Sequence, residues 1–99
     1  MLLSIIIVNW NTKDLLRDCL KSIYAYPPCG SFEIIVVDNA STDGSGQMVR
    51  DLFPQVLLLE NKTNIGFARA NNQGAENCTG DYILFLNPDT LIKPEALDC

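Results

Sequence analysis

Four apolar runs alternate with three stretches whose apolar residues recur at helical spacing, and this alternation limits the chain to very few architectures. Leu2 to Val8 is almost continuously apolar and rich in β-branched residues, the pattern of a strand covered on both faces in the middle of a parallel sheet. From Thr12 the period changes. Leu15, Leu16, Cys19, Leu20, Ile23 and Tyr24 share one helical face, Asn11 or Thr12 stands ready to cap the N-terminus, and Pro27, Pro28 and Gly30 end the helix.

Phe32 to Val37 reads as a second buried strand closed by Asp38 and Asn39. Ser41 to Gly46 is a polar turn opening a short helix that Pro54 stops. Val56 to Leu59 is the third strand. Asn64 to Asn77, with Gly66, Phe67, Ala68, Ala70 and Ala75, is mostly helical and rich enough in small residues to approach a sheet closely. Asp81 to Leu86 is the fourth strand, and a further short helix is expected from about Pro94. Strand, helix, strand in strict succession requires parallel pairing through right-handed crossovers. The expected fold class is α/β: an open, mainly parallel, doubly wound sheet with helices on both faces.

Composition removes several function classes. An apolar fraction of 47% with 19% charged residues in 99 residues suits one globular unit. A net charge of −5 with no basic run argues against a nucleic-acid partner. The chain has no histidine, so neither a histidine-based hydrolytic triad nor a structural zinc site of the usual cysteine and histidine spacing is available. Cys19, Cys29, Cys78 and Cys99 are widely spaced. Met1 to Val8 has no basic region or cleavage site and is far too short to span a bilayer, so the expectation is a cytoplasmic protein with reduced thiols and no transmembrane segment.

In open parallel sheets ligands bind outside the carboxyl ends of the strands, where strand order reverses. Strand one delivers Val8, Asn9, Trp10 and Asn11 there; strand two delivers Asp38 and Asn39; strand four delivers Asn87 and Asp89. Trp10 suits either a half-buried core aromatic or a flat face for a nucleobase. Asp38 suits either turn chemistry or contact with a ribose or base edge, whereas Asp43 reads as capping. Asp89 suits either a turn cap or, beside the Asn87 amide, a hard-oxygen ligand for Mg²⁺ or Mn²⁺ completed by substrate phosphates. Gly44-Ser45-Gly46 lacks the third glycine of a dinucleotide fingerprint, and no Gly-Lys pair exists for a P-loop.

Four segments together, SIIIVNWN, IIVVDNASTDGS, NIGFARANNQG and GDYILFLNPDT, give the chain a resemblance over nearly its whole length to the N-terminal, nucleotide-binding half of family 2 glycosyltransferases of the GT-A fold. The resemblance implies that Val8, Asn9, Trp10 and Asn11 flank the base and that Asp38, with Asn39, meets the base edge. It also implies that Asn87-Pro88-Asp89 stands at the family's DxD metal and diphosphate motif. Here an amide replaces the first acid, which leaves Asp89 as the metal ligand. The NPDT variant is similar to the rhamnosyl and galactofuranosyl transferase branch. Gly66 would bring backbone near the nucleotide, and Arg69 suits either phosphate or base charge or a solvated surface.

The implied activity is inverting transfer of a sugar from a UDP- or dTDP-linked donor to a saccharide or lipid-linked acceptor. A carboxylate base deprotonates the acceptor hydroxyl while Mg²⁺ or Mn²⁺ stabilises the departing diphosphate. Family members continue through an acceptor-binding half carrying that base, so residues 1–99 are expected to hold the donor, to lack turnover alone and to self-associate through an uncovered sheet edge. Two other classes compete: a nucleotidyltransferase-like or other nucleotide-binding enzyme, and a non-catalytic association module.

Overall fold

The computed structural model describes residues 2–92. Its elements run β1 (Leu2–Asn9), α1 (Lys13–Ala25), β2 (Ser31–Asp38), α2 (Ser45–Leu52), β3 (Leu57–Glu60), α3 (Phe67–Glu76) and β4 (Tyr82–Leu86). The four strands form one sheet in the order β3-β2-β1-β4, and each neighbouring pair is parallel. β1 is interior, as its unbroken apolar run requires: Ile5, Ile6 and Ile7 are all fully buried.

Alternation along β1 divides the core in two. Ile5 and Ile7, with Ile34 and Val36 of β2, pack against Leu16, Cys19, Leu20 and Ile23 of α1 and Met48 and Val49 of α2. Ile6 and Val8, with Ile35 and Val37, meet Ala70 of α3 on the opposite face. Helices therefore cover both faces. The small side chains of α3 serve that packing, because a Cβ added at Gly74 would sit 2.6 Å from the Cγ2 of Ile6.

Several local expectations are revised. Leu15 shares the helical period but lies 48% exposed at the edge of the apolar face. Thr12 occupies the N-cap position of α1 without capping it: its hydroxyl donates instead to Asn9 Oδ1, and the Asn11 side chain accepts from the Thr42 amide. Asp43 supplies the cap from across the loop, accepting from Lys13 N at 3.0 Å through Oδ2 and from Ser45 N at 3.0 Å through Oδ1. One carboxylate thus takes one amide from the first turn of each of α1 and α2, where amides lack partners and the helix dipole favours negative charge.

α3 starts at Phe67 rather than Asn64 because Gly66, at φ 89 and ψ 162, takes a conformation essentially confined to glycine, while Asn64 Oδ1 accepts from the Gly66 amide at 2.9 Å. β4 is less buried than an apolar strand suggests. Leu84 and Leu86 pack towards α1, but Tyr82, Ile83 and Phe85 are exposed. The helix expected from about Pro94 lies outside the described residues.

Cys19 and Cys78 are free thiols, whereas Cys29, in the loop before β2, is disulfide-bonded. This departs from the expectation of reduced thiols throughout. No helix among the described residues is long and apolar enough to cross a membrane.

Candidate functional site

The chain crosses from β1 to β2 and β3 on one side and returns to β4 on the other, so strand order reverses between β1 and β4. An open cleft of about 270 Å³ lies at the carboxyl ends there, lined by Val8, Trp10, Thr12, Asn39, Asn64, Phe67 and Pro88. Trp10 and Phe67 are 55% and 58% exposed. Two large aromatic rings left open to water, beside buried amides, suit a flat ligand with polar edges.

Beneath the cleft, Asp38 is 4% exposed and Asn9 is fully buried. Asp38 Oδ1 accepts from Asn9 Nδ2 at 2.9 Å and from the Ser41 hydroxyl at 2.6 Å, and Oδ2 accepts from Ser41 N at 3.1 Å. Asp38 is not among the residues lining the cleft, and its carboxylate serves the floor. Asn9 spends its amide on Asp38 and its carbonyl oxygen on Thr12, which makes it part of the floor. Asn11, at φ 52, faces the Ser41–Thr42 loop: its N–H donates to Ser41 Oγ at 2.9 Å.

Asn39 is 2% exposed; its backbone N–H donates to Asn9 O at 2.8 Å, extending the ladder past the end of β2. Its side chain donates to the carbonyl of Gly66 at 3.3 Å, tying strand two to the start of α3. Arg69 is exposed and is not among the cleft's lining residues.

At the end of β4, Thr90 N donates to Asn87 O at 3.0 Å, closing a turn with Pro88 and Asp89 at its centre. Proline presets the first central position of such a turn, and its ring lines the cleft. Asn87 and Asp89 are both exposed. Asp89 also acts inward: burial chiefly, and then its negative charge, push the Cys19 thiol up to about 11. Cys19 is accordingly a protonated core residue at neutral pH.

Among the described residues no group of three or more histidine, cysteine, aspartate or glutamate side chains gathers in the manner of a closed metal cage. Mg²⁺ and Mn²⁺ need no such cage, because one or two protein oxygens suffice when waters and phosphates complete the shell. The exposed Asp89 carboxylate beside the Asn87 amide fits that donor set. A second open cleft, about 440 Å³, lies over the first turn of α1 between Asn11 and Asp43. Asp43 already accepts from Lys13 N there and places a carboxylate in the cleft wall, which disfavours an anion.

The family model for glycosyl transferase family 2 matches residues 4–98. The chain belongs to this family. It is 35% identical over 102 residues to a poly(ribitol-phosphate) beta-glucosyltransferase of Bacillus spizizenii, covering 98% of the chain and 16% of that enzyme. Among solved structures it resembles S. aureus TarS 1–349 in complex with UDP-GlcNAc, with TM-score 0.85 and 29% identity over 98% of the chain and 29% of the other. It also resembles a mannosyltransferase from Pyrobaculum calidifontis in complex with GDP-Man and Mn²⁺, with TM-score 0.80 and 30% identity over 90% of the chain and 28% of the other. The chain therefore spans about a third or less of each. Family 2 membership is matched by the GT-A type α/β sheet.

Besides Thr12, which the sequence suggests only as a helix cap, Phe67 and Asn64 are cleft residues not assigned to a site from sequence. Their signal was the neighbouring Gly66, whose special conformation marks where α3 turns its first residue towards the strand ends.

Proposed function

We propose that this chain is the donor-binding part of an inverting glycosyltransferase, taking a nucleoside-diphosphate sugar in the cleft between Trp10 and Phe67. The observation that carries the reading is the position of that cleft at the β1–β4 reversal, lined by the exposed Trp10 and Phe67 and by Pro88 of the turn after β4. The rings suit a nucleobase, and the buried Asn39 amide at the cleft suits its polar edge. Asp89 and Asn87 would hold Mg²⁺ or Mn²⁺, which when bound offsets negative charge on the leaving diphosphate. The UDP-GlcNAc and GDP-Man complexes of the two structural relatives support this class of donor.

Transfer with inversion also needs a base for the acceptor hydroxyl, and none of the described residues is assigned that role. The Asn87-Pro88-Asp89-Thr90 sequence supports the rhamnosyl and galactofuranosyl branch, and the poly(ribitol-phosphate) relative supports a polymer or lipid-linked acceptor. The full protein would then act on the cytoplasmic side, as a cytoplasmic or membrane-peripheral enzyme.

Trp10 is the chain's one tryptophan, so its fluorescence reports on the cleft directly. Titration with UDP, dTDP and GDP is expected to give saturable quenching by at least one, strengthened by Mn²⁺ and reversed by a chelator. No saturable quenching by any of them at millimolar concentration would overturn the reading. Hydrolysis-resistant dTDP- and UDP-sugars in the same titration rank the branches.

A further inference from the structure

Behind the cleft three carboxamides form a connected chain. Asn39, at the end of β2, donates to Gly66 O and accepts from Asn61 Nδ2 at 3.0 Å. Asn61, directly after β3, also donates to Gln73 Oε1 at 2.9 Å and accepts from Gln73 Nε2 at 2.9 Å. The Asn61 backbone is itself fixed, its N–H donating to Asp38 O at 2.9 Å. The ends of β2 and β3 are thereby bonded to the second turn of α3 and to the carbonyl that starts it.

That carbonyl belongs to Gly66, which also accepts the first helical bond from Ala70 N at 3.2 Å. Asn64 and Phe67 flank Gly66 and line the cleft, whereas Asn61 and Gln73 do not. α3 holds the sheet through Ala70 and the close approach at Gly74, and has few large apolar anchors of its own. A helix docked on so little surface can shift, and a reciprocal amide pair of fixed direction resists that movement.

We propose that Asn61 and Gln73 are positioning residues for the nucleotide, acting through Asn39 and Gly66 to hold Phe67 in the wall of the cleft that Trp10 also lines. The proposal rests on the donor-binding reading above. Both amides are neutral, so the wall they set is insensitive to pH and does not add charge beside the diphosphate.

The test titrates the 99-residue chain with the nucleoside diphosphate that quenches Trp10, with and without Mn²⁺, and follows thermal melting in parallel. Gln73→Leu is expected to weaken binding about tenfold or more, while leaving the ratio of affinities with and without Mn²⁺ unchanged. Phe67→Ala is expected to weaken binding as well, and the double variant to bind no more weakly than Phe67→Ala alone, because both act through one wall. Parent-like affinity in Gln73→Leu, or losses that multiply in the double variant, would overturn the proposal while the parent still binds. If Gln73→Leu does not melt cooperatively, Gln73→Glu, which keeps the acceptor for Asn61 and removes the donor, decides on the same readings. A parent chain that binds no nucleoside diphosphate would defeat the donor reading, and this inference with it.

Discussion

Asn9 and Asp38 sit opposite one another at the last rung of the β1–β2 ladder, and the Asn9 carboxamide donates to the Asp38 carboxylate at 2.9 Å with both residues buried. The pair joins the two strands beneath the cleft, and the Ser41 hydroxyl and amide close the same carboxylate from the loop. A strand-end acid that looks, in sequence, like a free ligand is therefore also structural. Asp38→Ala leaves a buried amide and a hydroxyl without their acceptor, which should cost about 1.5 to 3 kcal/mol of stability. For a domain of this size that corresponds to a fall in melting temperature on the order of 10 °C. A melt unchanged from the parent would show that the carboxylate is dispensable to the floor.

Asp89 should behave in the opposite way. It is exposed, its turn is closed by backbone atoms, and the core beneath it is apolar. Asp89→Ala is expected to melt within about 0.5 kcal/mol of the parent, as surface substitutions usually do. The same variant should lose the Mn²⁺ enhancement of nucleoside diphosphate binding, because an amide alone is a poor partner for a hard divalent cation. Retention of the full Mn²⁺ effect would remove Asp89 from the metal site.

Legibility in the sequence followed the range of the interactions involved. The parallel order, the interior β1 and the helices on both faces follow from periodicities within single segments, and each is present in the structure. Trp10, Asn39 and Val8 at the cleft follow from the rule that strand ends meet at one rim. What escaped detection depends on pairs far apart in sequence. Asp43 caps α1 from 30 residues away, and Asn61 finds Gln73 only because α3 packs where Gly74 lets it. The uncovered sheet surface expected of this chain is present on β4, where Tyr82, Ile83 and Phe85 are exposed.

Glu33 offers a test of stability against pH at the opposite end of the sheet. Burial alone would raise its carboxyl, but hydrogen bonds from the Ser4 hydroxyl and the Thr79 amide and hydroxyl outweigh that and hold it below the usual carboxylate range. A carboxyl depressed in the folded state adds stability that is present above its unfolded value and is lost as pH falls through the folded one. Glu33→Gln should therefore destabilise the domain at neutral pH by roughly 1.5 kcal/mol, the low end for hydrogen bonds to a charged group. The deficit should shrink as pH falls below the ordinary Glu value of 4.5. Denaturant melts of parent and variant at pH 7 and pH 3 decide it: a gap that stays constant or widens in acid contradicts the assignment.

The last expectation concerns β4, which pairs with β1 and carries Tyr82, Ile83 and Phe85 at 57%, 42% and 50% exposure. Register places Phe85 beside Ile6, on the face that α3 covers, but α3 lies over β1 and β2 and leaves Phe85 in water. An apolar outer strand with unpaired backbone groups is a template for another strand, and charges placed on it prevent such pairing. The 99-residue chain is therefore expected to self-associate at micromolar concentration. Phe85→Lys should shift it towards monomer without lowering its melting temperature appreciably, because the replaced ring contributes little to either core. Sedimentation velocity of both proteins is the measurement. A parent that sediments as a clean monomer would show that β4 needs no cover, and an associated state unchanged by Phe85→Lys would move the contact to another surface.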